Sequence, residues 1–148
     1  GGISFFRKDF QKAIADYNRA IEIHPGHAKA LTNRGLCFRN LGQTERALAD
    51  YTRAIQADPQ LPNPYSNRAL IYLERSRPRE ALADLDRYLK LAPRSSYVPR
   101  ARYHRGRAHR ALNNHTQAVE DFRYYLQKIP QAAEREMIES YLQAQQNR

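Results

Sequence analysis

The amino-acid sequence predicts an all-α fold built from a repeated pair of antiparallel helices, and two spacings carry that prediction. Ala13, Tyr17, Ala20 and Pro25 recur as Ala47, Tyr51, Ala54 and Pro59, then as Ala81, Leu85, Tyr88 and Pro93. A fourth copy reads Ala118, Phe122, Tyr125 and Pro130. Upstream of each later copy lies a second shared block: Asn33-Arg34-Gly35, Asn67-Arg68-Ala69 and His104-Arg105-Gly106. The step is 34 residues from Ala13 to Ala47 and from Ala47 to Ala81, and 37 from Ala81 to Ala118. Two blocks held at one period mark a repeat architecture, in which each unit buries its apolar face against its neighbours.

Helical geometry explains the retained letters. Ala13, Tyr17 and Ala20 fall at i, i+4 and i+7, on one face of a helix. The small residues admit a neighbouring helix and the ring fills the gap between them. Each closing proline ends its unit, because proline cannot continue a helix and disfavours helix in the residue before it.

Taken in order, residues 1–25 form a partial repeat: Gly1 aligns with Gly35, so little of the first helix of that pair is present. Residues 28–59 form a full repeat, with a helix over 28–40 and a turn at Gly42. In the repeat 62–93 the turn falls at Ser76–Arg77, and Pro78 suits the first turn of the next helix. The repeat 99–130 breaks near Asn113. The three additional residues before it lie around Arg94–Pro99 and are expected to lengthen that connection. Residues 131–148 form a C-terminal capping segment. Its helix is expected over 132–145, with Met137, Ile138, Tyr141 and Leu142 on the apolar side. At least seven helices and no strand are expected.

These residues resemble the tetratricopeptide repeat, whose 34-residue pattern places small residues, an aromatic and a final proline in this order. The resemblance implies a solenoid, an α-α superhelix of about 3.5 helix pairs over residues 1–130 plus the capping helix. Tyr88 and Tyr125 depart from the pattern by replacing its second alanine, which is expected to push neighbouring helices slightly apart.

Composition restricts function. The chain has 148 residues, 41% of them hydrophobic, which is enough for a core. No apolar run is long enough to span a bilayer. Cys37 is the single cysteine, so no internal disulfide or cysteine zinc finger can form. It reads as a small buried hydrophobe. No apolar segment follows a basic start in the manner of a signal peptide, and an intracellular, cytoplasmic location is expected. The chain opens on Gly1 and Gly2 without a methionine and reads as part of something longer.

Enzymatic motifs are missing. There is no glycine-rich phosphate loop or nucleophile elbow, and His24, His27, His104, His109 and His115 offer no metal-ligating spacing. The expectation is a protein that is not an enzyme and carries no cofactor or metal.

Charge is more informative. The net charge is +10, and 20 of the 25 cations are arginine, whose planar fork matches carboxylate and phosphate. From Arg87 to Val119 there is no Asp or Glu, while Arg87, Lys90, Arg94, Arg100, Arg102, Arg105, Arg107 and Arg110 all fall there. This basic strip, 87–119, implies an anionic partner.

Not every arginine is free to bind. Arg34, Arg68 and Arg105 each precede an aspartate by 16 residues, namely Asp50, Asp84 and Asp121. A charge pair in register with the repeat is expected to brace the first helix of each pair, helix A, against the second, helix B. The i, i+3 pairs Asp16/Arg19, Asp50/Arg53 and Asp84/Arg87 are expected on a solvated face of helix B.

The remaining polar positions line up. Lys29, Asn33, Leu36 and Asn40 share one stripe of helix A in the second copy. Asn63, Asn67, Leu70 and Glu74 share it in the third. In the fourth it holds Arg100, His104, Arg107 and Ala111, with Arg110 at its edge. The resemblance implies that A helices line a concave groove where extended peptides lie. The candidate partner-binding residues are therefore Lys29, Asn33, Asn63, Asn67, Arg100, His104, Arg107 and Arg110. Asparagine can donate to and accept from a peptide backbone at once, and the arginines can take carboxylates. His104 between them is expected to gain a proton when an anion binds.

Some members of the family grip a chaperone's terminal carboxylate with basic and asparagine residues on successive A helices. Asn67, Arg100 and His104 occupy three of its five places, with His104 where arginine is usual, whereas Thr32 and Leu36 stand where it has lysine and asparagine, so a clamp for a chaperone's terminal carboxylate is not expected. The expected function is an interaction scaffold that binds a partner, an extended acidic protein segment, in its groove. The alternatives are RNA or other nucleic-acid binding through the strip 87–119, with tyrosines stacking bases, and a structural subunit of a larger complex.

Overall fold

The computed structural model describes residues 2–148, with side chains from Phe6 onward. Gly1, which the sequence aligns with Gly35, lies outside the described residues. Among those described there are eight α-helices and no strand: α1 Gly2–Ile23, α2 Ala28–Asn40, α3 Thr44–Ala57, α4 Asn63–Glu74, α5 Pro78–Leu91, α6 Val98–Ala111, α7 His115–Lys128 and α8 Arg135–Gln146. None is long and apolar enough to cross a membrane.

The chain forms two compact units, residues up to Ile71 and residues from Tyr72, divided within α4. The turns inside the helix pairs fall where the sequence puts them. Gly42, Ser76 and Asn113 all adopt left-handed backbone, with φ of 77°, 56° and 61°. Each is followed by the same hydrogen bond five residues back: Gln43 N–H to Phe38 O, Arg77 N–H to Tyr72 O and Asn114 N–H to His109 O, all at 2.8 Å. That bond satisfies a carbonyl left over at the helix end and turns the chain into the next helix.

In the first unit, Ile21, Ala28, Ala30, Leu31 and Ala54 pack together under Tyr17, Ala20 and Leu61. Phe38, Ala47, Tyr51 and Ile71 form a second cluster. Gly35 lets α2 lie on the Tyr51 ring: a Cβ there would stand 2.7 Å from Tyr51 Cε1. The second unit repeats this with Gly106, whose Cβ would stand 2.7 Å from Phe122 Cε1. Its core gathers Tyr103, Ala118, Phe122, Tyr125, Leu126, Ile138 and Tyr141. Cys37 is buried and its thiol pKa is raised by burial, as suits a small core residue.

Three expectations need correction. The last helix starts at Arg135, not residue 132, because Pro130–Glu134 turns through Ala132 N–H to Ile129 O and Arg135 N–H to Ala132 O, both 3.1 Å. Met137 is 42% exposed, since Ile138, Tyr141 and Leu142 define the inward face and Met137 sits beyond its edge. Finally, Asp50 and Asp84 are buried, so they do not stand on a solvated face with Arg53 and Arg87. Asp16 and Arg19 are exposed.

Two of the three added residues extend the start of α6, at Val98, and the connection before it, residues 92–97, is only one residue longer than residues 58–62 before α4. Tyr88 holds the 92–97 connection, its hydroxyl 3.0 Å from Ser95 Oγ, which also accepts from Tyr97 N–H at 3.1 Å. Tyr125, at the equivalent place in the next copy, likewise reaches its following connection and donates to Glu134 Oε2 at 2.7 Å.

Candidate functional site

The repeated arginines divide into braces and surface groups. Arg34 of α2 donates twice to Asp50 of α3, at 2.8 Å to each oxygen, and once to Asn18 Oδ1 of α1 at 2.9 Å. The Asp50 hydrogen bond holds its pKa above the ordinary arginine value, against burial. Arg105 of α6 repeats this with Asp121 of α7, at 2.8 and 2.9 Å, and with Asp86 of α5 at 3.2 Å. Arg68 of α4 reaches Thr52 of α3 at 3.2 Å. Asn18, Thr52 and Asp86 occupy one repeat position, so each arginine also ties its helix to the helix B before it.

The A-helix stripes lie outside this bracing. On α2, Lys29, Asn33 and Asn40 are exposed and Leu36 is 40% exposed. Asn40 turns its amide back onto Leu36 O at 2.9 Å. Thr32 is buried, and its hydroxyl donates to Ala28 O at 2.7 Å, so it offers nothing to a ligand. On α4, Asn63 is exposed and Asn67 half-buried.

On α6 the stripe is crowded by aromatic rings. Arg100 lies over Tyr103 and Tyr125, with centroids 5.8 and 5.2 Å away, Arg107 over Tyr103 at 5.9 Å, and Arg110 over Tyr141 at 4.9 Å. The rings attract the cations electrostatically and restrict their side chains. Arg107 Nη1 is 3.2 Å from His104 Nδ1. Arginine can only donate, so this contact uses the imidazole lone pair. Arg110 Nη1 is also 3.5 Å from Met137 Sδ. Beside it, Met137, Ser140 and Tyr141 of α8 line an open cleft of about 860 Å³ with Arg110, Glu136 and Arg148.

The acid-free basic strip of the sequence is not acid-free in space. Arg102 donates to Asp121 at 2.8 Å and stacks on Tyr124 at 4.1 Å. Arg105 is spent on Asp121 and Asp86. Arg100 pairs with Glu134 at 2.8 Å. For Arg100, burial opposes the charge, yet the hydrogen bond to Glu134 and the charge of that carboxylate raise its pKa. The Tyr125 hydrogen bond lowers the Glu134 pKa despite some desolvation. Burial first, then the Glu134 bond, pushes Tyr125 up to about 12. Arg107 and Arg110 meet no carboxylate among the described residues. Sequence reasoning missed Glu134 because it lies 34 residues beyond Arg100, outside any local spacing, and because the helix was expected to have already begun there.

These features define an all-α helical repeat protein whose A helices carry polar, partly cationic faces. Two tetratricopeptide repeat family models match, over residues 2–63 and 66–133. The chain belongs to the tetratricopeptide repeat family. No curated protein matches it by sequence. Among solved structures it is similar to the first tetratricopeptide repeat domain of Spaghetti (RPAP3) bound to the HSP90 peptide SRMEEVD. That likeness is 26% identical, covers 79% of this chain and 91% of that one, and has a TM-score of 0.70. The first such domain of human RPAP3 is also 26% identical, over 83% and 98%, at 0.68. A tetratricopeptide repeat protein from Parabacteroides merdae, 24% identical over 91% and 50%, at 0.70, shares the fold.

Proposed function

We propose that this chain is an interaction scaffold that holds an extended, acidic segment of a partner protein against its A-helix faces. The observation that carries the reading is the α6 stripe: Arg107 and Arg110 with no carboxylate partner among the described residues, and each guanidinium over a tyrosine ring. The similar Spaghetti domain, bound to a peptide with consecutive glutamates, supports the same chemistry. The departures at Thr32 and Leu36 turn the reading away from a chaperone-type grip on a terminal carboxylate and toward acidic side chains within a segment. On the second unit Arg107, Arg110 and His104 would serve its carboxylates; on the first unit the amides of Asn33 and Asn67 are suited to a peptide backbone.

The experiment is a fluorescence titration with an end-blocked peptide of alternating Glu and Ala, alongside its Gln-for-Glu counterpart. The acidic peptide is expected to bind and the neutral one to bind far more weakly. Arg107→Glu should abolish binding. Single-stranded RNA is the competing ligand. Tyr103, Tyr125 and Tyr141, the rings beneath the arginines of α6, are buried, which argues against their stacking bases. RNA binding with a steep salt dependence, and none by the acidic peptide, would overturn the proposal.

A further inference from the structure

Two donors on different helices converge on one carboxylate in the second unit. Arg100 Nη1 of α6 lies 2.8 Å from Glu134 Oε1, and the Tyr125 hydroxyl of α7 donates to Oε2 at 2.7 Å. Each oxygen thus has its own donor, one of them charged, a geometry that recognises carboxylate in general. The Tyr125 ring lies under the same guanidinium at 5.2 Å and fixes its direction. The pair is not sealed: the Arg100 side chain is 39% exposed and that of Glu134 24%. Glu134 comes from the turn that leads into α8, not from a helix interior.

We propose that Arg100 and Tyr125 form a carboxylate-binding site whose resident occupant is the chain's own Glu134, and that an Asp or Glu side chain of an acidic partner segment binds by displacing it. The proposal rests on the peptide-binding reading above and adds a residue that works against binding. Exchanging one carboxylate for another leaves both donors satisfied, so no buried donor is stranded on the way. Glu134 needs only to swing back to water from a partly exposed position. Its advantage over an incoming carboxylate is intramolecular, since the tether gives it a high effective concentration at the site. An occupied Arg100 also cancels one positive charge beside Arg107 and Arg110, weakening the field that an acidic segment meets.

The test uses the full chain and the same labelled Glu/Ala peptide. Glu134→Gln keeps an oxygen for Tyr125 but removes the charge that holds Arg100. Glu134→Asp keeps the charge on a shorter arm that cannot reach both donors, and Asp suits the start of a helix, so folding is retained. The acidic peptide is expected to bind Glu134→Gln about tenfold more tightly than the wild type, with Glu134→Asp between them. Arg100→Gln should cost little in the wild type, where Arg100 is already engaged, and should erase the gain in the Glu134→Gln background. A brace that only docks α8 predicts no such non-additivity. Binding by the wild type with unchanged or weaker binding by Glu134→Gln would overturn this inference and leave the peptide reading standing. No acidic-peptide binding by the wild type or either Glu134 variant would overturn both.

Discussion

In the first unit one guanidinium, that of Arg34, meets the buried carboxylate of Asp50. In the second unit two guanidiniums, those of Arg102 and Arg105, meet Asp121. The two aspartates occupy the same repeat position and are about equally enclosed, with side chains 4% and 2% exposed. The second unit therefore carries an extra cation inside the same brace. Its basic character is partly a packing device, and counting arginines along the sequence overstates what it can offer a partner. The aromatic lining differs in the same sense. The first unit has Phe38 at the repeat position where the second has His109. The cations over Phe38, Arg46 at 4.3 Å and Arg34 at 5.6 Å, rest on a residue that cannot titrate.

The largest effect that can break this comparison is at the two aspartates. Asp121→Ala leaves two partly buried guanidiniums without their carboxylate and should lower stability by about 2–4 kcal/mol, toward the lower end because each arginine keeps a quarter of its surface in water. Asp50→Ala strands one and should cost about 1–3 kcal/mol. Denaturant melts that rank Asp50 above Asp121 would show that Arg102 contributes nothing to the brace.

Next come the glycines beneath the rings, where the units should behave alike. Gly35→Ala and Gly106→Ala each place a methyl against a buried aromatic carbon and should each cost about 1–3 kcal/mol through overpacking. A tolerant Gly106 beside an intolerant Gly35 would mean that Phe122 has room to shift and Tyr51 does not.

At the turns the units differ again, since Gly42 meets the left-handed backbone of the first without strain while Ser76 does so at a cost. Ser76→Gly should stabilise by about 0.5–1 kcal/mol, and Gly42→Ser should destabilise by a similar amount. Thermal melts of both would show whether the left-handed residue limits stability.

The smallest effect is one of pH. Burial holds the His109 pKa below its ordinary value, and Asn114 Nδ2 lies 3.2 Å from its Nδ1. Below about pH 6.5 the unfolded chain takes up a proton that the folded chain resists, so stability falls as the pH drops from about 7 to 5. His109→Phe, which copies the first unit, should flatten that dependence. An unchanged slope in pH-resolved melts would assign the acid sensitivity elsewhere.

Much of the architecture was legible because it is written at short range. The turns at Gly42, Ser76 and Asn113, the helix start at Pro78 and the Arg34–Asp50 and Arg105–Asp121 braces follow from a period and from residue chemistry within one helix pair. The exposed stripe of Lys29, Asn33 and Asn40 was legible for the same reason, since 100° per residue fixes which side chains share a face. Asp50 was harder to place, because one spacing pointed to Arg34 and another to Arg53. Local periodicity cannot say which face of helix B meets helix A when both are polar.

The sequence by itself determined the repeat, its helix pairs and the residues that close them, since those depend on backbone torsion and on which side chains recur. The tertiary structure decided which charges remain available. Whether Arg100 faces water or Glu134, and whether Arg102 belongs to a binding strip or to Asp121, depends on a carboxylate 34 or 19 residues away. Electrostatic energy falls with distance in space and is indifferent to distance along the chain, so only the folded arrangement brings those partners within reach.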